Sequence, residues 1–127
     1  MKKTIFIAAC ILFSLNSLKA QSNKEDIEIA KELSGDVNDK NLFIKHSYSA
    51  FKGQMFEKYL KSHAITKVDI CGIDLDGCVL ATAYDAFDRG YEVKVLYNLS
   101  FSRDNLAAAA KSIINRNIQT KNDPRPH

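Results

Sequence analysis

Residues 67–97, KVDICGIDLDGCVLATAYDAFDRGYEVKVLY, read as a strand, a tight acidic turn, a helix, a glycine break and a second strand. Val68 and Ile70 alternate with polar neighbours and stop at Gly72, the pattern of a short buried strand. Asp74, Asp76 and Gly77 supply turn chemistry, with Asp76 as the expected N-cap. From Cys78 onward Val79, Thr82, Ala83, Ala86 and Phe87 fall on one helical face, and Gly90 ends that helix. Tyr91, Val93, Val95 and Tyr97 then line one face of a strand. This is a βαβ unit, whose right-handed crossover makes its two strands parallel. The fold class it predicts is α/β, with a three-layer, Rossmann-like, doubly wound parallel sheet.

Cys78 carries the chemical interest. It is expected in the first helical turn beyond the carboxyl end of a strand, where open α/β sheets place their sites. Free backbone N–H groups and the positive end of the helix dipole favour a thiolate there. A buried structural cysteine is the alternative reading of the same residue.

The segment GIDLDGCVLATAYDAFDRGYEVKVL resembles the nucleophile segment of the isochorismatase-like cysteine hydrolases, a family that includes nicotinamidases and N-carbamoyl amidohydrolases. That family carries a Gly, a short acidic turn, Cys-Val and an alanine-rich helix ending in Gly-Tyr. Here these are Gly72, Asp76, Cys78, Val79, Thr82, Ala83, Ala86, Gly90 and Tyr91. Upstream, IKHSYSAF is similar to the stretch holding the family's catalytic lysine, which maps to Lys45. The resemblance covers residues 41–118. It implies that Cys78 attacks an amide-type carbon, that Lys45 stabilises the thiolate and developing charge, and that the backbone around Asp74, Leu75 and Gly77 forms the oxyanion cleft. Leu75 stands where the family usually has threonine.

The 127 residues allow one domain, and 46% hydrophobic with 26% charged side chains is ordinary for a globular chain. The formal charge of +3 comes from Lys2, Lys3 and Lys19; the rest of the chain carries equal numbers of basic and acidic side chains. That is no nucleic-acid footprint. The same three lysines frame an apolar run, Thr4 to Leu15, with Leu18-Lys19-Ala20 as a cleavage site. Residues 1–20 are therefore expected to be a secretory signal peptide, making the protein secreted or periplasmic and free of the membrane after cleavage. The other reading of FIAACILF is a buried first strand of the domain.

The remaining order follows from capping and periodicity. Residues 21–40 are expected to form a short helix, from Ser22 to Gly35, and a polar loop. Leu42 to Lys45 reads as a strand with Lys45 at its end. Ser49 can cap a helix over 49–63 whose apolar face is Phe51, Met55, Phe56, Tyr59 and Leu60. Two further helices are expected at 77–89 and 103–117, the last with Ser102 as cap and Leu106, Ala109, Ala110, Ile113 and Ile114 as its apolar stripe. Residues 120–127 form a polar tail, and 41–119 the isochorismatase-like part.

The resemblance also implies an aspartate base on a strand ahead of the lysine motif. Residues 21–40 contain nothing like it, nor the Asp/His set that holds metal in the nicotinamidase branch. The front section of the domain is read as missing. About three strands remain, with poor burial and exposed edges, so pairing with another copy is one way to cover them. No cofactor or metal is expected: Asp74 and Asp76 are explained by turn and cap roles, and His46 has no second ligand nearby. Cys71 is read as a core residue; a disulfide with Cys78 would need a geometry that a strand and a helix start rarely provide. Three readings stay open: a hydrolase acting on a small-molecule amide or vinyl ether, a degenerate exported relative that only binds a small ligand or a partner, and an unrelated exported α/β domain in which Cys71 and Cys78 are structural.

Overall fold

In a computed structural model the described residues are 3–8, as backbone, and 40–119. Three strands form one sheet in the order β1 (Lys3–Ala8), β2 (Ile65–Ile73) and β3 (Glu92–Phe101). Both pairings are parallel, with Ile5 opposite Val68 and Ile70 opposite Val95. The helices are α1 (Gln54–Ser62), α2 (Leu80–Asp88) and α3 (Ala107–Ile114). A single 3-10 turn, Ala50–Lys52, leads into α1, and π turns at Leu75–Val79 and Asn115–Gln119 precede α2 and follow α3. The expected α/β class and parallel pairing are what the chain adopts.

One core joins these elements. Val68 and Ile70 from β2 and Val95 from β3 meet Phe56 and Leu60 of α1, Ala83 and Ala86 of α2, and Ala110 and Ile114 of α3. All three helices pack in one core against Val68, Ile70 and Val95, on one face of the sheet. Among the described residues there is thus one helical layer, and the second layer of a doubly wound fold has no described counterpart. The fold is an incomplete one.

The expected strand at Leu42–Lys45 does not form. Residues 42–45 have no ladder partner; Phe43 instead sets its ring edge-on to Phe56 at 5.5 Å and Tyr59 at 5.3 Å. Aromatic burial on α1 outweighs a four-residue ladder. The edge position beside β2 belongs to Lys3–Ala8, inside the stretch read as a leader. The rest of that leader, the helix expected from Ser22 to Gly35 and the tail 120–127 lie outside the described residues.

Ser49 caps as expected, accepting the Phe51 N–H at 3.1 Å, but only into the 3-10 turn. Gly53 then lies in extended conformation and α1 starts afresh at Gln54. Met55, expected on the buried face, is 69% exposed. The buried row is Ala110 and Ile114 in α3 and Ile118 in the π turn after it, while Leu106 and Ile113 are 51% and 40% exposed. A helix that is apolar nearly all round can roll either way, and contact with β3 and α2 decides which row goes inside.

β3 runs past Tyr97, where a loop was expected, to Phe101. Its register against β2 shifts between Ile70 and Gly72, so that Gly72 faces Ser100. Gly72 takes φ 140°, open to glycine alone, and its N–H reaches Ser100 Oγ at 3.3 Å. Ser100 in turn donates to the Leu96 carbonyl at 2.8 Å, pinning the bulge. This bulge carries the end of β2 to the acidic turn.

Candidate active site

β2 delivers the chain through a cis Ile73–Asp74 peptide into the π turn. Asp74, extended at φ −97° and ψ 140°, occupies the N-cap position expected for Asp76. Its carbonyl accepts the Gly77 and Val79 N–H groups, each at 3.1 Å. π turns of this kind are frequent at functional sites.

Cys78 is a free thiol, 5% exposed. Its burial is explained by the elements around it: Leu75 and Val79 sink into the core on either side. The Leu75 side chain is in the core at 3% exposure, so only its backbone faces the cleft expected there. The Gly77 N–H serves the Asp74 carbonyl. Cys71 is half-buried and free, not in the core, and burial pushes its thiol above the ordinary range. It faces away from Val68 and Ile70 along the pleat, which keeps it apart from Cys78.

The two carboxylates of the turn are both engaged by the loop that follows β3. Arg103 Nε meets Asp74 Oδ1 at 3.1 Å, and Ser102 Oγ donates to Asp76 Oδ1. Neither contact was legible in the sequence. Ser102 carried a cap signal, and its hydroxyl is used, but on the turn before α2 and not on α3, which starts from Leu106 without a side-chain cap. Arg103 carried no signal, being twenty-nine residues from its partner.

Lys45 and Cys78 are joined by no hydrogen bond or ion pair. The Lys45 ammonium turns back onto the carbonyls of Ser47 and Tyr48, the latter at 3.0 Å. The segment that bears it nevertheless docks on the same edge. Ala50 donates its N–H to Thr82 Oγ1 at 3.1 Å, and a methyl placed on Gly77 would lie 3.7 Å from the Tyr48 ring. Tyr48, unremarked in the sequence, therefore bridges the lysine segment and the cysteine turn. Beyond it an open depression of about 650 Å³, lined by His46, Ser47, Lys52, Ala81, Asp85 and Arg89 among others, follows α2 away from Cys78. It does not reach the thiol. Arg89 there is spent on Asp85 at 3.2 Å, Glu57 at 3.5 Å and the face of Phe51.

Asp74 and Asp76 are taken by Arg103 and Ser102, and among the described residues no three His, Cys, Asp or Glu side chains come together. Among the described residues, too, no helix is long and apolar enough to cross a membrane.

Comparison with known proteins follows the same lines. The family model of the Isochorismatase domain matches residues 13–117. Isochorismatase domain-containing protein 2 of Xenopus laevis is 29% identical over 67 residues, 53% of this chain and 33% of its own length. The isochorismatase family protein PncA of Bacillus subtilis (strain 168) is 39% identical over 51 residues, 40% of this chain and 28% of its own. In solved structures, the nicotinamidase PncA of Bacillus subtilis superposes with a TM-score of 0.57 at 33% identity, over 59% of this chain and 42% of that one. The nicotinamidase SaPncA of Staphylococcus aureus gives 0.55 at 28%, over 57% and 46%. The chain thus spans less than half the length of each of these relatives.

Proposed function

The chain belongs to the isochorismatase family, and from that premise we propose that it is a cysteine hydrolase of small amide-type substrates with Cys78 as nucleophile. The supporting observation is the turn itself: a free, buried thiol in the π turn at the carboxyl end of the central parallel strand. In this reading the Cys78 sulfur bonds to the amide carbon while the carbonyl electron pair moves to oxygen, which the Cys78 N–H receives. Collapse breaks the C–N bond, and nitrogen leaves as the amine or ammonia with an added proton. Water then opens the thioester, returning the thiol and releasing the acid.

Lys45 fits this scheme as the neighbouring cation once its ammonium exchanges the Ser47 and Tyr48 carbonyls for the thiolate. The proton acceptor is outside the described residues or on another subunit, because Asp74 and Asp76 are already engaged. Self-association belongs to the proposal: Phe101 and Leu106, beside the acidic turn, are 64% and 51% exposed. Sedimentation at micromolar concentration tests it, and a monomer throughout counts against it.

Ammonia release from nicotinamide by the purified chain is the direct assay. Slow turnover that disappears in Cys78→Ser is expected. Turnover undiminished by that substitution overturns the reading. No turnover, with Cys78 still alkylated faster than Cys71, favours the alternative of a degenerate relative that binds without reacting. Export with removal of residues 1–20 is a separate part of the proposal. It would take β1 away and leave β2 and β3 as the sheet. N-terminal sequencing of the chain recovered from the periplasm or medium tests it, and retention of Lys3–Ala8 overturns it.

A further inference from the structure

We propose that Ser102 and Arg103 are positioning residues: from the loop after β3 they hold the carboxylates of Asp76 and Asp74 away from the Cys78 sulfur. This rests on the reading of Cys78 as nucleophile. An aspartate at an N-cap ordinarily swings its carboxylate onto the N–H of the second or third helical residue. Asp74 stands at that position and makes no such bond. Its Oδ1 is on Arg103 Nε at 3.1 Å instead, and the Oδ1 of Asp76, one residue into the turn, is on the Ser102 hydroxyl. Both holders come from one loop, twenty-six and twenty-nine residues along the chain from their partners.

What this arrangement protects is the charge balance around the sulfur. Released from Arg103, the Asp74 carboxylate would close on the turn and place a negative charge where a thiolate and an oxyanion must form. One unit charge at about 4 Å in water is worth about 1 kcal/mol, a factor of about five. The same holds for Asp76 released from Ser102. A side chain that merely braced the loop would have no such dependence on the carboxylate it touches.

The experiment is the rate of iodoacetamide alkylation at Cys78, read by peptide mass spectrometry with Cys71 as internal control, on the full chain. Arg103→Gln and Ser102→Ala are each expected to slow Cys78 about fivefold while the Cys71 rate and the urea midpoint stay put. Arg103→Lys keeps most of the wild-type rate. The decisive variants are the pairs Arg103→Gln with Asp74→Ala, and Ser102→Ala with Asp76→Ala, in which removing the carboxylate restores the Cys78 rate. Pairs as slow as the single variants, or single variants that slow both cysteines and lower the urea midpoint, overturn the proposal, as does a wild-type Cys78 no faster than Cys71. Because alkylation reads the sulfur and not turnover, restoration without nicotinamide hydrolysis sinks the hydrolase reading alone. Hydrolysis without restoration sinks only the positioning.

Discussion

The cysteine half of the molecule and the lysine half are held in different ways. The Cys78 turn hangs from the central strand of the sheet, is flanked by fully buried Val79 and Ala83, and is clamped from outside by Ser102 and Arg103. Residues 42–52 have no ladder. They are fixed by the ring of Phe43 on α1, by buried Phe51 against Phe56 and Tyr91, by Lys45 on its own neighbours' carbonyls and by the bond from Ala50 to Thr82. The first region is built onto the sheet; the second is held by side-chain rings and a few hydrogen bonds. A catalytic pair split between such regions depends on how firmly the weaker one is docked.

The largest effect is expected at the centre. Ile70→Ala, at a site with 0% exposure, should cost about 2–5 kcal/mol, enough to unfold so small a domain. Urea or thermal unfolding followed by circular dichroism measures it, and a loss below about 1 kcal/mol would mean that the core is not shared as described. Next comes the link between the halves. Thr82→Val removes the acceptor of the Ala50 N–H and should cost about 1–3 kcal/mol, with faster proteolysis in residues 45–52 while the sheet amides keep their protection. Uniform loss of protection would erase the distinction between the two regions.

A gain is expected at Asp69, on β2. Its Oδ1 is buried without a hydrogen-bond partner among the described residues, so Asp69→Val should raise stability by about 1 kcal/mol in the same unfolding assay. A loss would mean that this carboxylate is compensated. Smaller still is the alkaline limb. Burial pushes the thiol of Cys71 above its ordinary 9.0 and the hydroxyls of Tyr91 and Tyr97 above 10.0, with the charge of Glu57 adding to the shift at Tyr91. Each is held protonated by the folded state, so this part of the stability is complete below the ordinary value. It falls as pH rises through the raised one. Unfolding midpoints should decline from about pH 9 upward, and less steeply in Tyr97→Phe. A midpoint that stays level or rises over that range contradicts the sign.

The smallest effect on stability belongs to Lys45→Ala. Local bonds to Ser47 and Tyr48, near the surface, should be worth less than about 0.5 kcal/mol. A large destabilisation there would break the contrast between the two halves outright.

By itself the sequence determined the βαβ unit around Cys78. Period-two alternation through Val68 and Ile70, the helical row Val79, Thr82, Ala83 and Ala86, and Gly90 at φ 84° after α2 are local consequences of side-chain size and backbone freedom. The tertiary structure decided the rest, because it turns on free energies no window of residues contains. Leu42–Lys45 gave up its strand to aromatic packing on α1. The apolar helix α3 chose Ala110 and Ile114 over Leu106 and Ile113 for the core. Asp74 and Asp76, read as turn and cap, became the two ends of a clamp whose other ends lie twenty-nine and twenty-six residues away. Such choices are made between alternatives that are nearly equal locally, so the contact made at a distance settles them.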